Sequence, residues 1–417
     1  MERYVFFYDE SFHDRKITAK NNEINIYSGN ASDVYVGAFI GFSENKLSTF
    51  IDKYKDFERG QKKVFDISES KELKATIISY KNFEYGIKTF RQNTLDFYDD
   101  YFSLFDENTI IHICMLSKTS VLITETFKNI DSIYLDFNKN AFIYSLTKFL
   151  YNYRYNEILL NFFNDYKEYD SDVVINKLSE FITGTINNIQ KSKSDLKILE
   201  LKALEEIRTI LEYSIVKHVP QRQYLWNYNI IFKGLNLLLE EFDIPQKHSI
   251  LIIDRDENTI TAARTTGEYL SIIDGDSKKY EGIRASDILS NFIGRMIYSL
   301  TKDLQVNVLN SLEDLENINY KTKKILNPNW FDLNEKQFNI YKKVKDIFIT
   351  RIEEYGWTTQ GSVYFDYSTT LFNLFQYIGY FDSFNDFCKL DAEKHSNEFN
   401  KYCCCVLRER YKMDFGV

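Results

Sequence analysis

Two apolar stretches far apart in the chain each end in a single aspartate. Residues 3–9 read RYVFFYD, ending at Asp9, and residues 249–254 read SILIID, ending at Asp254. Side chains alternate between the two faces of a strand. Val5, Phe7 and Asp9 therefore share one face and Tyr4, Phe6 and Tyr8 the other; Ile250, Ile252 and Asp254 likewise share a face. A carboxylate that continues an apolar face is costly to bury unless it is paired or binds a cation. Ligand sites of open α/β sheets gather outside the carboxyl ends of the strands. Two hydrophobic strands that each deliver an acid at that end thus point to cation or phosphate chemistry at one sheet edge. Taken singly, either aspartate also reads as the opening of a turn, since DES and DRDEN are turn-like.

Two further acids stand in more ordinary surroundings. Glu72 lies in SKELKAT, where a charged residue also reads as part of a solvated face. Asp287 lies in EGIRASDILSNFIGRMI, whose apolar residues Ile288, Leu289, Phe292, Ile293, Met296 and Ile297 form one helical stripe. Asp287 points almost opposite, alongside the small residues Ser286, Ser290 and Gly294. That face either meets solvent or lets the helix press closely onto a sheet, and periodicity leaves both open.

The elements that must position these acids alternate in character along the chain. Strands are expected at Arg3 to Asp9, Val34 to Phe42, Thr109 to Leu116 and Ser249 to Asp254. A short amphipathic helix is expected from Lys46 to Phe57. From about Asn140 to Phe242 the pattern is helical, including Lys197 to Val216 and, beyond Pro220, Arg222 to Phe242; Pro245 closes the block. Turn-rich sequence precedes a well-patterned helix from Gly282 to Leu300, and the remainder is mostly helical, broken at Asn327-Pro328-Asn329.

Composition narrows the classes. With 417 residues, 44% hydrophobic and 27% charged, the chain has material for a sizeable core and is not of disordered type. A net charge of −9 argues against a general nucleic-acid coat, because phosphate binding leaves a basic footprint. No apolar run approaches the ~20 residues of a membrane span, and MERYVFFYDE lacks the apolar region of a signal peptide. A soluble protein of the cytoplasm is expected. Of the five cysteines, Cys403, Cys404 and Cys405 are consecutive, poor geometry for bridging one another, and no paired CxxC supports a zinc site. His112 and Cys114 fall on one face of a strand and suit a nucleophilic pair less well than buried packing. P-loop, Rossmann, zincin and hydrolase-elbow motifs are absent.

At the level of motifs, FFYDES, KELK, LIIDR and GIRASDIL resemble the four landmarks of the family known as domain of unknown function 3800. That pattern opens with a strand ending in Asp-Glu-Ser-Gly, continues with a Glu-Leu-Lys element and closes with a strand aspartate and a helix carrying Ala-Asp-Leu. The resemblance spans roughly residues 1–116 and 246–300, with Phe12 where the family has glycine and Ser286 where it has alanine. It implies an α/β fold with a ribonuclease H-like mixed-sheet core in two parts (1–139 and 246–302); the helical patterning outside the resemblance reads as a large helical insertion (140–245) and a helical C-terminal region (303–417). It also implies an acidic set of Asp9, Glu72, Asp254 and Asp287, supported by Glu10, Ser11 and Lys74.

Four converging carboxylates repel one another unless a cation compensates, and hard oxygen ligands suit Mg²⁺ or Mn²⁺. The implied activity is two-metal hydrolysis of phosphodiester bonds in DNA or RNA, in a setting such as bacterial defence against phage. Asp9 would bridge the metals, Glu72 and Asp254 would complete their shells, and Asp287 would hold the hydrolytic-side ion. Lys74, Arg255, Arg284, Ser11 and His13 are the candidate substrate contacts, with His13 also a proton shuttle. Lys278, Lys279 and Arg295 lie near the site in sequence. The alternative is a non-catalytic nucleic-acid- or protein-binding regulatory component on a degenerate nuclease fold. Its helical regions would then contact a partner protein or a second copy. Strand transfer of transposase type would call for a separate DNA-binding module, and no helix-turn-helix or basic arm suggests one.

Overall fold

The computed structural model describes residues 2–12, 19–20, 23–26, 33–132, 134–152, 171–192, 198–216, 228–305, 326–350, 359–360 and 366–415. Strands β1 (Tyr4–Ser11), β2 (Val34–Ser43), β3 (Ile110–Ser117), β4 (Ser249–Asp254), β5 (Ser271–Gly275) and the short β6 (Thr359–Gln360) form one sheet in the order β6-β3-β2-β1-β4-β5. β1 pairs antiparallel with β2 and parallel with β4; β2 pairs antiparallel with β3; β5 extends β4 in parallel. Only β2 runs against the others, so the carboxyl ends of β1, β3, β4 and β5 meet at one edge. β5 falls in the stretch that reads as turn-rich, because SIIDG is too short and glycine-ended to announce itself.

The alternation in β1 sorts its residues as the side-chain period requires. Val5 and Phe7 enter a core with Val36, Ala38, Ile40, Ile113 and Ile252. That face is covered by α1 (Glu44–Val64), α2 (Gln92–Phe102) and, further along the chain, the long helix of residues 281–305. Phe6 and Tyr8 enter the opposite core with Tyr35, Phe39, Leu251 and Ile253. The next helices are α3 (Lys118–Phe127), α4 (Lys139–Asn152), α5 (Ser171–Ser192) and α6 (Ile198–Tyr213). They share a separate core built on Phe127, Leu146, Leu150, Ile182 and Leu204. Helix α7 (Asn229–Glu241) behaves differently: its Ile231, Phe232, Leu235 and Leu238 pack on the Tyr8–Phe39 face. The helical stretch of 140–245 therefore divides, with its last helix serving the sheet. Among the described residues, no helix is long and apolar enough to cross a membrane.

Helix α8 (Glu257–Thr266) follows β4, and α9 (Glu281–Gln305) lies across β1 and β2. The small-residue face of α9 is the one turned to the sheet. Ser286 donates its hydroxyl to the Phe7 carbonyl (3.1 Å), and Ser11 donates to the Ser290 carbonyl (2.8 Å). A Cβ on Gly282 would lie 2.2 Å from the Phe7 ring and one on Gly294 2.5 Å from Ser11 Oγ, so glycine permits this approach. The apolar stripe of α9 is buried as well, on its far side, by α2 and by the C-terminal helices α10 (Glu335–Lys345), α11 (Asp366–Gly379) and α12 (Ala392–Phe415). A helix buried all round must spend every polar side chain on a partner or on a site. Cys403 is buried in this bundle, whereas Cys404 and Cys405 are exposed; all the cysteines are free thiols.

Candidate active site

The parallel register of β1 and β4 sets Tyr8 opposite Ile253, so the next residues, Asp9 and Asp254, sit side by side at the sheet edge. Both are half-buried. Asp287, in the second turn of α9, reaches the same place from above the sheet. Burial pushes the Asp9 carboxyl well above the usual carboxylate range, and the charges of Asp287, Glu10 and Asp254 push it further. Against these stands, among the described residues, one donor, the Glu10 backbone N–H, 2.8 Å from Asp9 Oδ1.

Asp287 is held at both oxygens. The Ala75 N–H donates to Oδ2 (2.9 Å) and Asn291 Nδ2 donates to Oδ1 (2.8 Å) and to the Asp287 carbonyl (3.0 Å). Burial raises the Asp287 carboxyl and the Asp254 charge adds to this, while the Ala75 N–H, Lys74 and Arg295 oppose them. The Ala75 contact also brings in the segment that carries Glu72. Glu72 accepts from Ser277 Oγ (3.0 Å) and faces Lys74 Nζ (3.5 Å). Ser277 follows β5, whose Gly275 pairs with Asp254. All four acids therefore occupy the same sheet edge: three aspartates act on one another, and Glu72 is tethered at the rim. Among the described residues, no group of three or more His, Cys, Asp or Glu side chains is drawn together closely enough to hold a metal ion.

The candidate substrate contacts separate into exposed and buried. Lys74 is exposed beside Glu72, and Arg255 is exposed and paired with Asp276 (3.1 Å). Lys278 and Lys279 are exposed on the loop after β5. Arg284 is buried: it bonds Glu58 (2.8 Å) and the Ser277 carbonyl and lies over the Tyr54 ring, which makes it a clamp between α1, α9 and the loop. Ser11 is buried with its hydroxyl on Ser290, a tie between β1 and α9. Arg295 is buried against Tyr80 and bonded to the Ile78 carbonyl. His13 lies outside the described residues. His112 and Cys114 are fully buried, and burial pushes the Cys114 thiol up, away from the thiolate a nucleophile needs.

Three participants are not evident from the motifs: Asn291, Ser277 and Asp276. Asn291 had a legible signal, because it stands four residues beyond Asp287 on one helix face. Ser277 and Asp276 depend on the β4–β5 pairing, which no local pattern announces.

No family model matches the chain, and no curated protein or solved structure matches it. The likeness to the domain of unknown function 3800 family rests on the four short motifs and on their order.

Proposed function

We propose that this protein is a metal-dependent nuclease of ribonuclease H-like type, hydrolysing phosphodiester bonds at the edge that carries Asp9, Asp254, Asp287 and Glu72. The observation that carries the reading is the gathering of three mutually repelling aspartates at one sheet edge, with Asp9 the least compensated of them. Among the described residues, Asp9 receives a single N–H against three neighbouring carboxylates. A fold keeps such repulsion only where something compensates it. The strand order β3-β2-β1-β4-β5 with β2 alone reversed, and an acid-bearing helix laid over it, supports the same family of folds.

The donor set is all carboxylate oxygen, which fits Mg²⁺ or Mn²⁺. Asp9, Asp254 and Asp287 would hold the ions, with Glu72 at the rim. When bound, such ions activate water and stabilise the leaving oxygen. The chain's own residues do the positioning. Asn291 and the Ala75 N–H fix the rotamer of Asp287; Ser277 and Lys74 hold Glu72; Arg284 braces the loop that presents Ser277.

The test is cleavage of a panel of DNA and RNA substrates in Mn²⁺ and Mg²⁺, with Asp9→Ala alongside. Metal-dependent cleavage that the substitution removes is the expected result; cleavage unchanged in Asp9→Ala overturns the assignment. One observation favours the rival, a non-catalytic binding component: both oxygens of Asp287 already accept protein donors. That reading predicts oligonucleotide binding with no cleavage of any substrate in either metal.

A further inference from the structure

An aromatic cluster adjoins the acidic edge along two separate segments. Phe12, three residues beyond Asp9, stacks on Tyr298 (ring centroids 6.0 Å, planes 22° apart). Tyr80 meets both rings edge-on, at 6.1 Å each. Tyr298 lies eleven positions beyond Asp287 on α9, which returns it to the same helical face about 16 Å along the axis. Tyr80 is 39% exposed and the other two rings are half-buried. The Arg295 guanidinium lies 4.6 Å from the Tyr80 centroid, covering one face of that ring.

Phe12 is held in a conformation that L residues rarely adopt, with φ +54°. Three contacts impose it. Lys118 Nζ donates to the Phe12 carbonyl (2.9 Å), Ser11 is tied to Ser290, and the missing Cβ of Gly294 leaves room for the ring, which a methyl group there would meet at 2.7 Å. Glycine would take this backbone without strain. A phenylalanine maintained here instead places its ring against Tyr298, beside Tyr80. Backbone strain of this kind is retained where the side chain it positions has a use.

We infer that Phe12, Tyr80 and Tyr298 form a stacking platform for unpaired nucleobases, so that the substrate presented to the carboxylates is a single strand. The inference rests on the nuclease reading of that edge and specifies its substrate class. Its second support is electrostatic. The chain is acidic, and among the described cations beside the edge Arg284 is bonded to Glu58, Arg255 to Asp276 and Lys74 to Glu72, while Lys278 and Lys279 are exposed. Stacking on aromatic rings adds affinity to so sparse a set of phosphate contacts. Bases within a duplex are already stacked on one another and offer no such face. With Arg295 on one side, the 39% of Tyr80 that remains exposed is the surface open to an incoming base.

The experiment is fluorescence anisotropy in EDTA with short labelled oligo(dT), oligo(rU) and a duplex of equal length, using wild type, Tyr80→Ala, Tyr80→Trp and Phe12→Gly. Wild type is expected to bind one or both single strands at least about 10-fold more tightly than the duplex, with Tyr80→Ala weakening that binding by about 10-fold and Tyr80→Trp retaining it. Phe12→Gly also weakens binding. The relative affinities of the dT and rU arms decide which sugar the platform accepts. Equal affinity for single strand and duplex, or unchanged binding in Tyr80→Ala, overturns the platform. The two ideas fail separately. Tyr80-dependent binding without metal-dependent cleavage removes the nuclease reading and keeps the platform; cleavage of duplex and single strand alike, indifferent to Tyr80, does the reverse.

Discussion

Asp9, near the end of β1, and Asp33, immediately before the antiparallel β2, lie toward the same edge of one sheet. Asp33 is the more buried and the better served. Its Oδ1 accepts from the Thr119 N–H (2.8 Å) and hydroxyl (2.7 Å), its Oδ2 from Ser117 Oγ (2.5 Å), and its carbonyl from the Lys118 N–H (2.8 Å). These donors cluster at the start of α3, where the helix end also favours a negative charge. Among the described residues, Asp9 has one N–H donor and is crowded by other acids. Burial alone does not separate a structural acid from one with a task to perform. The donor count among the described residues does: the Asp33 side chain has three donors and that of Asp9 has one.

The sharpest way to break this contrast is to remove each charge in turn. Asp9→Asn keeps an oxygen for the Glu10 N–H while removing a carboxylate that its neighbours repel. Cleavage should fall by on the order of 100-fold or more, beyond the ~10–100-fold that loss of an outer partner costs a metal site. The melting temperature in EDTA should rise, because the repulsion with Asp287 and Asp254 is relieved. A lower melting temperature would place Asp9 with Asp33 among the structural acids.

Asp33→Ala should do the opposite. It leaves the Ser117 hydroxyl and both Thr119 donors buried without their acceptor, at about 1–3 kcal/mol each before relaxation. A net loss of ~3 kcal/mol in urea unfolding is expected, with cleavage per folded molecule unchanged. Stability within error of wild type would show that Asp33 is not what anchors the β3–α3 junction.

The contrast also marks what could be read without coordinates. Alternation along VFFYD and SILIID grouped Asp9 with Val5 and Phe7, and Asp254 with Ile250 and Ile252, because the strand period is local; that this face is the one under α9 is seen only in the fold. Their adjacency was not local: it comes from a parallel pairing between residues 4–8 and 249–253. Periodicity isolated the Ser286, Ser290 and Gly294 face but could not say whether it met water or β1; only the Ser11 and Phe7 contacts decide that. Arg284 and Arg255 read alike as charges beside the site, yet one is a buried clamp and the other an exposed pair, since sequence does not reveal which face Glu58 occupies. Glu72 sits in a segment without regular structure, so no periodicity could place it. The α/β class was legible from strand and helix patterns, whereas the sheet order required the long-range pairings.

A smaller effect sharpens the comparison from within the site. Asn291 is to Asp287 what Thr119 is to Asp33, a donor that fixes a carboxylate, although the carboxylate here is one of the repelling set. Asn291→Ala should lower cleavage about 10-fold, toward the lower end for an outer partner, with little change in melting temperature. Asn291→Asp should lower it further by adding a like charge. Equal activity in wild type and Asn291→Ala would mean that the Ala75 N–H alone positions Asp287.

The smallest effect is expected at His395, a buried ionisable group that follows the Asp33 pattern in the C-terminal helices. Its Nε2 lies 2.9 Å from the Phe387 carbonyl and its Nδ1 3.0 Å from the Tyr377 hydroxyl, and the ring stacks on Phe387 at 4.0 Å. A neutral ring satisfies both contacts, donating from Nε2 and accepting at Nδ1. Burial lowers its pKa from 6.5, opposed by the Phe387 carbonyl and Asp391. The folded state thus resists a proton that the unfolded chain accepts. His395 contributes stability above the ordinary histidine pKa of about 6.5, and that contribution is lost as pH falls through the lower folded value. Thermal unfolding from neutral to mildly acidic pH should show a decline of a few degrees that His395→Gln flattens, since glutamine can donate and accept without titrating. An identical slope in the variant would assign the decline elsewhere and leave the balanced, donor-matched type of buried group resting on Asp33 alone.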